Sequence, residues 1–303
     1  MMTEPYRSGF VAVIGRPNVG KSTLINALLG QKIAAVSPRP QTTRRAQLGI
    51  HTTDAAQIVF VDTPGIHKAH HKLGHAINQN AEEALDGVDL ILWLVDASVK
   101  PTEEDQIIAN LLLTLKRRPP LLLATNKTDR LTQEETESRQ NIYREIFPEA
   151  EQVIPISATR GDGRDALVEA ITERLPERPP DFPEEQVTDL YEREIAAELI
   201  REACLTFLRH EVPHGVAIRV DEFTERSDTG AYIAATIFVE RDSQKGIVIG
   251  EGAKTLKKIG SAARKEIEAM GGRKVFLQLR VKVLKDWRNN ENYLRRFGYN
   301  PKK

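Results

Sequence analysis

Gly15-Arg16-Pro17-Asn18-Val19-Gly20-Lys21-Ser22 sets a lysine and a hydroxyl directly after a glycine-bounded loop. The glycines let the backbone curl until several N–H groups face one anionic centre, and a helix starting there adds the positive end of its dipole. Lys21 then reaches the β- and γ-phosphates of a nucleoside triphosphate, and the Ser22 hydroxyl takes Mg²⁺. Gly15, Asn18, Val19, Gly20, Lys21, Ser22 and Thr23 are therefore assigned to the nucleotide. Asp62-Thr63-Pro64-Gly65 offers a carboxylate for the Mg²⁺ shell and, at Gly65, an N–H for the γ-phosphate. Between the two lies the polar stretch Gln41-Thr42-Thr43-Arg44, a switch loop in which one threonine closes over Mg²⁺, Thr43 being favoured over Thr42. Metal holding falls to Ser22, Thr43 and Asp62. Catalysis falls to Lys21, Thr43 and Gly65, since phosphoryl transfer needs positioning and charge neutralisation more than covalent chemistry.

Asn126-Lys127-Thr128-Asp129 selects the base. The Asp129 carboxylate accepts from the N1–H and exocyclic amine of guanine, a donor pair that adenine lacks. Asn126 supports the loop and meets the base, and the Lys127 stem covers the ring face. Ser157-Ala158-Thr159 provides a backbone N–H for the guanine O6. GTP and GDP, with Mg²⁺, are the implied ligands. Many GTPases carry a water-orienting glutamine just after the DxxG glycine, but Ile66 stands there, so slow intrinsic turnover is expected. Asn18 has two readings: its amide oxygen helps hold K⁺ over the phosphates, or it is an ordinary turn residue. The stretch His67–His75 holds four of the seven histidines, and its lysines and glycine point to a solvated switch loop rather than a metal site.

These residues need a frame that brings strand ends together. The runs 10–15, 57–65, 88–98, 119–129 and 152–159 are almost continuously apolar, as in parallel strands covered on both faces, and helical spacing separates them. A doubly wound α/β domain with a mostly parallel sheet follows, over residues 1–175. Proline and acidic residues from 176 to 188 read as a linker. Residues 189–303 follow a helix, strand, strand, basic helical region, strand order, which describes a smaller α+β domain.

That second part is basic. Residues 241–303 carry 17 Lys and Arg against 6 Asp and Glu, a balance of +11 in a chain whose formal net charge is zero. Such asymmetry suits a polyanionic partner. Gly250-Glu251-Gly252-Ala253 forms a small-residue loop before a helix that carries Lys254, Lys257 and Lys258 on one face. A tight loop of this kind lets a nucleic-acid backbone approach while the lysines neutralise phosphates. It resembles the GxxG loop of a KH domain, with Ala253 in place of the last glycine.

No apolar run approaches the length of a membrane span, the N-terminal residues lack the apolar core of a signal peptide, and the one cysteine, Cys204, has no partner for a disulfide. A reducing cytoplasm is the expected compartment.

Together, GRPNVGKST, QTTR, DTPG, NKTD, ISAT, VERDSQKGIVIG and the terminal LRRFGY resemble the Era-type GTPases over nearly all 303 residues. The resemblance implies a P-loop GTPase domain followed by a type II KH-like domain. It implies binding of single-stranded RNA from the 3′ region of small-subunit (16S) ribosomal RNA, with the RNA along Gly250–Ala253. It further implies a role in assembly of the small ribosomal subunit and loose association with the inner membrane surface. No stable oligomer is expected. Three rival readings are a second domain that binds protein or anionic lipid through its basic face, a fused RNA-modifying activity, and a nucleotide sensor that scarcely turns over. The glycine loop favours RNA over lipid, the lack of a second catalytic motif after residue 180 argues against the second, and the third differs from the leading reading only in rate.

Overall fold

A computed structural model describes residues 5–37, 42–69, 71–227 and 230–299. The chain forms two compact units, one comprising Met1–Lys32, Thr43–Lys68 and Ile77–Asp189, the other Ile33–Thr42, Ala69–Ala76 and Leu190–Lys303.

In the first unit six strands lie in the order β2-β3-β1-β4-β5-β6. They are β1 (Arg7–Ile14), β2 (Gln47–Thr52), β3 (Ala56–Asp62), β4 (Leu90–Asp96), β5 (Leu121–Asn126) and β6 (Gln152–Pro155). Every residue of β3, β4 and β5 is buried, which is why these strands read as unbroken apolar runs. All pairings are parallel except β2 with β3. The antiparallel edge strand β2 was not anticipated, because QLGIHT mixes polar and apolar residues without a run. Helices α1 (Lys21–Leu29), α2 (Lys72–Glu83), α3 (Glu103–Thr114), α4 (Gln133–Ile146) and α5 (Arg164–Arg174) connect the strands. On one face Trp93 meets Tyr143 and Phe147 edge-on, with ring centroids 6.2 and 5.8 Å apart.

The stretch 176–188 is fastened to this sheet. Ser8 N donates to the Pro176 carbonyl at 3.1 Å, and Ile50 N to the Val187 carbonyl at 2.9 Å. The buried Gln57 accepts from the Asp181 and Phe182 amides at 2.8 and 2.9 Å and donates to the Phe182 carbonyl at 2.9 Å.

The second unit holds α6 (Glu192–Phe207), β7 (Ala217–Ser227), β8 (Gly230–Val239), α7 (Asp242–Ile249), α8 (Lys254–Gly271), β9 (Lys274–Val283) and the short α9 (Glu291–Arg296). In its sheet β8 pairs antiparallel with β7 and parallel with β9. The core is periodic: Ile195, Leu199 and Ala203 on α6 and Ile259, Ala263 and Ile267 on α8 recur every four residues. Ile233, Ala235, Ile237 and Val239 alternate along β8. Trp287 and Phe297, 5.3 Å apart, close one end, and the Trp287 indole donates to the Gly215 carbonyl at 2.9 Å.

Candidate functional site

The nucleotide motifs converge because a parallel sheet sends strand ends to one edge. The phosphate loop follows β1, Asp62 ends β3, Asp96 ends β4, and Asn126 ends β5. Gly15 and Gly65 mark close approaches. A Cβ on Gly65 would lie 2.6 Å from the Pro17 nitrogen, so the two loops meet backbone to backbone.

Ser22 Oγ donates to Asp62 Oδ2 at 2.8 Å and lies 2.9 Å from Thr43 Oγ1, which donates to the same carboxylate oxygen at 3.3 Å. Thr43, rather than Thr42, is the threonine brought to this cluster; the Thr42 hydroxyl instead lies 3.5 Å from the Ser37 carbonyl. Gln41 lies outside the described residues. Asp62 is fully buried, and its Oδ1 has no hydrogen-bond partner among the described residues. Burial pushes its pKa up against the opposing effects of Lys21 and three side-chain hydrogen bonds. An oxygen-only set with one unsatisfied carboxylate oxygen fits a hard divalent cation.

Lys21 Nζ donates to the Gly15 and Arg16 carbonyls at 2.9 and 3.2 Å. Burial lowers its pKa to about 8, Asp62 working against that shift and Arg16 with it. Asn18 takes a left-handed φ of 65°, as a turn residue does, and its carbonyl accepts from Lys127 Nζ at 2.8 Å.

Asn126 joins three loops. Its Nδ2 donates to the Val19 carbonyl at 2.7 Å, and its Oδ1 accepts from the Ala158 amide at 2.9 Å. Ser157 Oγ donates to Asp129 Oδ1 at 2.7 Å and holds that carboxylate in place. Ile66 is buried in the core with Trp93 and Ile108, so its side chain points away from the phosphate side. Of the histidine stretch, His70 lies outside the described residues, and His67 Nδ1 sits 3.1 Å from the Gly65 carbonyl. Among the described residues no group of three His, Cys, Asp or Glu has metal-holding spacing. A cleft of about 1290 Å³, lined by Ala27, His51, Arg164, Glu169 and Glu173 among others, contains none of the predicted nucleotide residues.

In the second unit, Gly250 takes φ 71°, ψ 169°, a region closed to side chains, and a Cβ there would lie 2.3 Å from Thr255 Oγ1. Gly252 and Ala253 follow in left-handed conformation, φ 56° and 62°. The loop therefore keeps its tight form although Ala253 replaces a glycine. Glu251, Lys254, Lys257 and Lys258 are all exposed. Beside them a cleft of about 500 Å³ runs between α8 and β9, lined by Leu256, Lys257, Arg264, Phe276 and Gln278. Sequence reasoning missed Phe276. It is 65% exposed and stacks on Tyr232 at 5.8 Å, in an outward row of Lys274, Phe276, Gln278, Arg280 and Lys282. The alternation in KVFLQLRVKV carried that signal, with inward Val275 in the core.

A phosphate loop, a Ser-Thr-Asp oxygen cluster and an Asn-Lys-x-Asp base loop at one edge of a mostly parallel sheet define a P-loop GTPase, here joined to a KH domain. Residues 10–127 match the family described as a 50S ribosome-binding GTPase, and residues 211–288 match the KH domain. The chain is 49% identical to GTPase Era of Halothermothrix orenii over 97% of its own length and 99% of that protein. It is 50% identical to GTPase Era of Geobacter metallireducens over 99% of its own length and 100% of that protein. A crystal structure of Era in complex with MgGDPNP and nucleotides 1506–1542 of 16S ribosomal RNA superposes with a TM-score of 0.92 at 38% identity, covering 97% of this chain and 99% of that one. The chain belongs to the Era family of GTPases and is a GTP-hydrolysing enzyme.

Proposed function

We propose that this GTPase is a nucleotide-switched factor that binds the 3′ region of 16S ribosomal RNA and acts in assembly of the small ribosomal subunit. The observation that carries the RNA half is the tight Gly250–Ala253 loop, flanked by exposed lysines and opening onto the cleft that bears Phe276. The solved relative carries 16S RNA nucleotides, which favours the small subunit even though the family description names the large one. Residues 1–175 form the GTPase domain, 176–188 the connecting segment and 189–303 the RNA-binding domain.

Ser22, Thr43 and Asp62 hold Mg²⁺, which when bound neutralises charge on the β- and γ-phosphates. Gly15, Asn18, Val19, Gly20 and Thr23 surround the phosphates with backbone N–H groups, Lys21 turns its ammonium from the Gly15 carbonyl to the γ-phosphate, and the Gly65 N–H meets the same group. Asp129 reads the guanine N1–H and amine, Asn126 and Lys127 frame the ring, and Ser157, Ala158 and Thr159 line its O6 edge. The Asn18 amide supports a K⁺ ion, which a comparison of hydrolysis rates in Na⁺ and K⁺ buffers tests; equal rates remove that ion from the account. Gly250, Glu251, Gly252 and Ala253 receive the RNA backbone, and Lys254, Lys257 and Lys258 neutralise its phosphates. The protein works as a monomer in the cytoplasm and associates peripherally with the inner face of the membrane. No helix among the described residues is long and apolar enough to cross a membrane.

The test is binding of a short single-stranded RNA from the 3′ end of 16S RNA at two salt concentrations, with GDP or a non-hydrolysable GTP analogue. Sequence-dependent binding that strengthens with the analogue supports the proposal. Phe276→Ala should weaken it by about 1–3 kcal/mol, the worth of one stacked base. Binding that ignores sequence and nucleotide and vanishes at moderate salt overturns it.

A further inference from the structure

Beneath the nucleotide loops runs a line of four alternating charges, Asp105, Arg16, Asp96 and Lys127. Lys127 Nζ lies 2.5 Å from Asp96 Oδ2, Arg16 Nη2 lies 3.9 Å from the same oxygen, and Arg16 Nε lies 3.3 Å from Asp105 Oδ2. Three of the four side chains are nearly enclosed, with exposures of 0% for Asp105, 13% for Arg16 and 8% for Asp96. Arg16 meets both carboxylates as charge rather than through aligned hydrogen bonds. Such a line is costly to desolvate unless each member keeps its neighbour, so removal of one charge leaves another buried without compensation.

Each cation of the line belongs to a working loop. Arg16 is in the phosphate loop, and its carbonyl accepts from the Lys21 ammonium at 3.2 Å. Lys127 is in the base loop, and its ammonium also reaches the Asn18 carbonyl at 2.8 Å. The two carboxylates are themselves fixed by rigid elements. Asp105 Oδ2 accepts from the Thr102 N–H and hydroxyl at 2.8 and 3.0 Å, which caps α3. Asp96 Oδ1, at the end of β4, accepts from the Ser98 N–H and hydroxyl at 3.0 and 2.6 Å. Tyr143, packed on the same side, is pushed to a higher pKa by burial first and by Asp105 second, so it stays a neutral neighbour of the line.

We propose that Asp96 and Asp105 are positioning residues: acting through Arg16 and Lys127, they hold the phosphate loop and the base loop at the separation a guanine nucleotide spans, and so set how long the nucleotide stays bound. Neither carboxylate belongs to the motifs that touch phosphate, metal or base. Their effect falls on nucleotide affinity and dissociation and leaves the hydrolytic step at saturating GTP nearly unchanged. The proposal rests on the GTPase activity of this site, and wild-type protein run alongside reports on that activity by itself.

The experiment uses the full chain and Asp96→Asn, which keeps shape and removes charge. Dissociation of a fluorescent GDP analogue is timed by stopped flow, and KM and kcat for GTP are measured on the same preparations. The expected result is dissociation at least tenfold faster and KM at least tenfold higher, with kcat within about twofold of wild type, Asp105→Asn shifting both in the same direction, and Asp96→Glu restoring most of the loss. Wild-type dissociation and KM in a folded Asp96→Asn protein overturn the proposal, as does an equal fall in kcat with KM unchanged. If Asp96→Asn does not fold, Asp105→Asn interrupts the same line from its α3 end, and the same two outcomes apply to it.

Discussion

The Ile66 N–H donates to the Gly15 carbonyl across 3.3 Å, so the residue after the DxxG glycine is bound by its backbone to the phosphate loop. Its side chain is 2% exposed and belongs to the core beside Trp93. The position that elsewhere offers a water-orienting amide is here turned inward and sealed.

Restoring a glutamine there should therefore fail to speed hydrolysis. Ile66→Gln places an amide in an apolar cluster and removes buried methyl groups, a destabilisation of about 2–4 kcal/mol. The melting temperature should fall and kcat at saturating GTP should stay level or drop. A tenfold gain in kcat at unchanged melting temperature contradicts the inward orientation.

Base selection should invert at Asp129. Ser157 Oγ occupies one carboxylate oxygen at 2.7 Å and orients the group as an acceptor. Asp129→Asn replaces one acceptor with a donor, at a loss of about 1.5–3 kcal/mol for guanine as charge-assisted hydrogen bonds disappear. Xanthine carries a carbonyl where guanine carries its amine and should gain. Competition of GDP and XDP for the variant measures the exchange, and unaltered GDP preference speaks against Asp129 as the base reader.

Ala253 holds a left-handed φ of 62° that an L-residue with a Cβ adopts at a cost of about 1 kcal/mol. Ala253→Gly should raise stability by up to about that amount, since the native strain outweighs the extra freedom of the unfolded glycine. RNA affinity should stay within threefold of wild type, because the loop already has the tight form. Calorimetry and an RNA titration of the same variant read the two effects separately.

Cys204 is fully buried on α6, and burial pushes its thiol up to about 12, with Arg201 opposing. The thiolate that attacks a disulfide reagent is therefore scarce at pH 8. Native protein should leave an aromatic disulfide reagent uncleaved for as long as it stays folded, and one equivalent should react on denaturation. Prompt reaction of the native protein contradicts the burial.

The nucleotide site was legible because its chemistry lies in contiguous loops, where Gly15 to Thr23 or Asn126 to Asp129 carry their meaning in order. The central strands were legible because burial on both faces leaves unbroken apolar runs. Edge elements were not. β2 pairs with β3 alone among the strands, and its burial is uneven, so its residues form no run that stands out. The outward Phe276 was not singled out, because only the register that puts Val275 inside shows which face of β9 it occupies. The direction of Ile66 and the line from Asp105 to Lys127 depend on residues far apart in the chain, and no local pattern encodes their meeting.

The stretch 176–188 has a consequence for synthesis. β1 and β3 leave the ribosome well before their partners in this stretch, since the Arg7 bridge to Glu177 and the partners of Gln57 come some 120 to 170 residues later. At roughly 5–20 residues per second, the sheet waits on the order of ten seconds with a buried amide still lacking its mates. The nascent sheet can close around its apolar runs during that interval, but its final stitching is postponed until the chain beyond α5 has emerged.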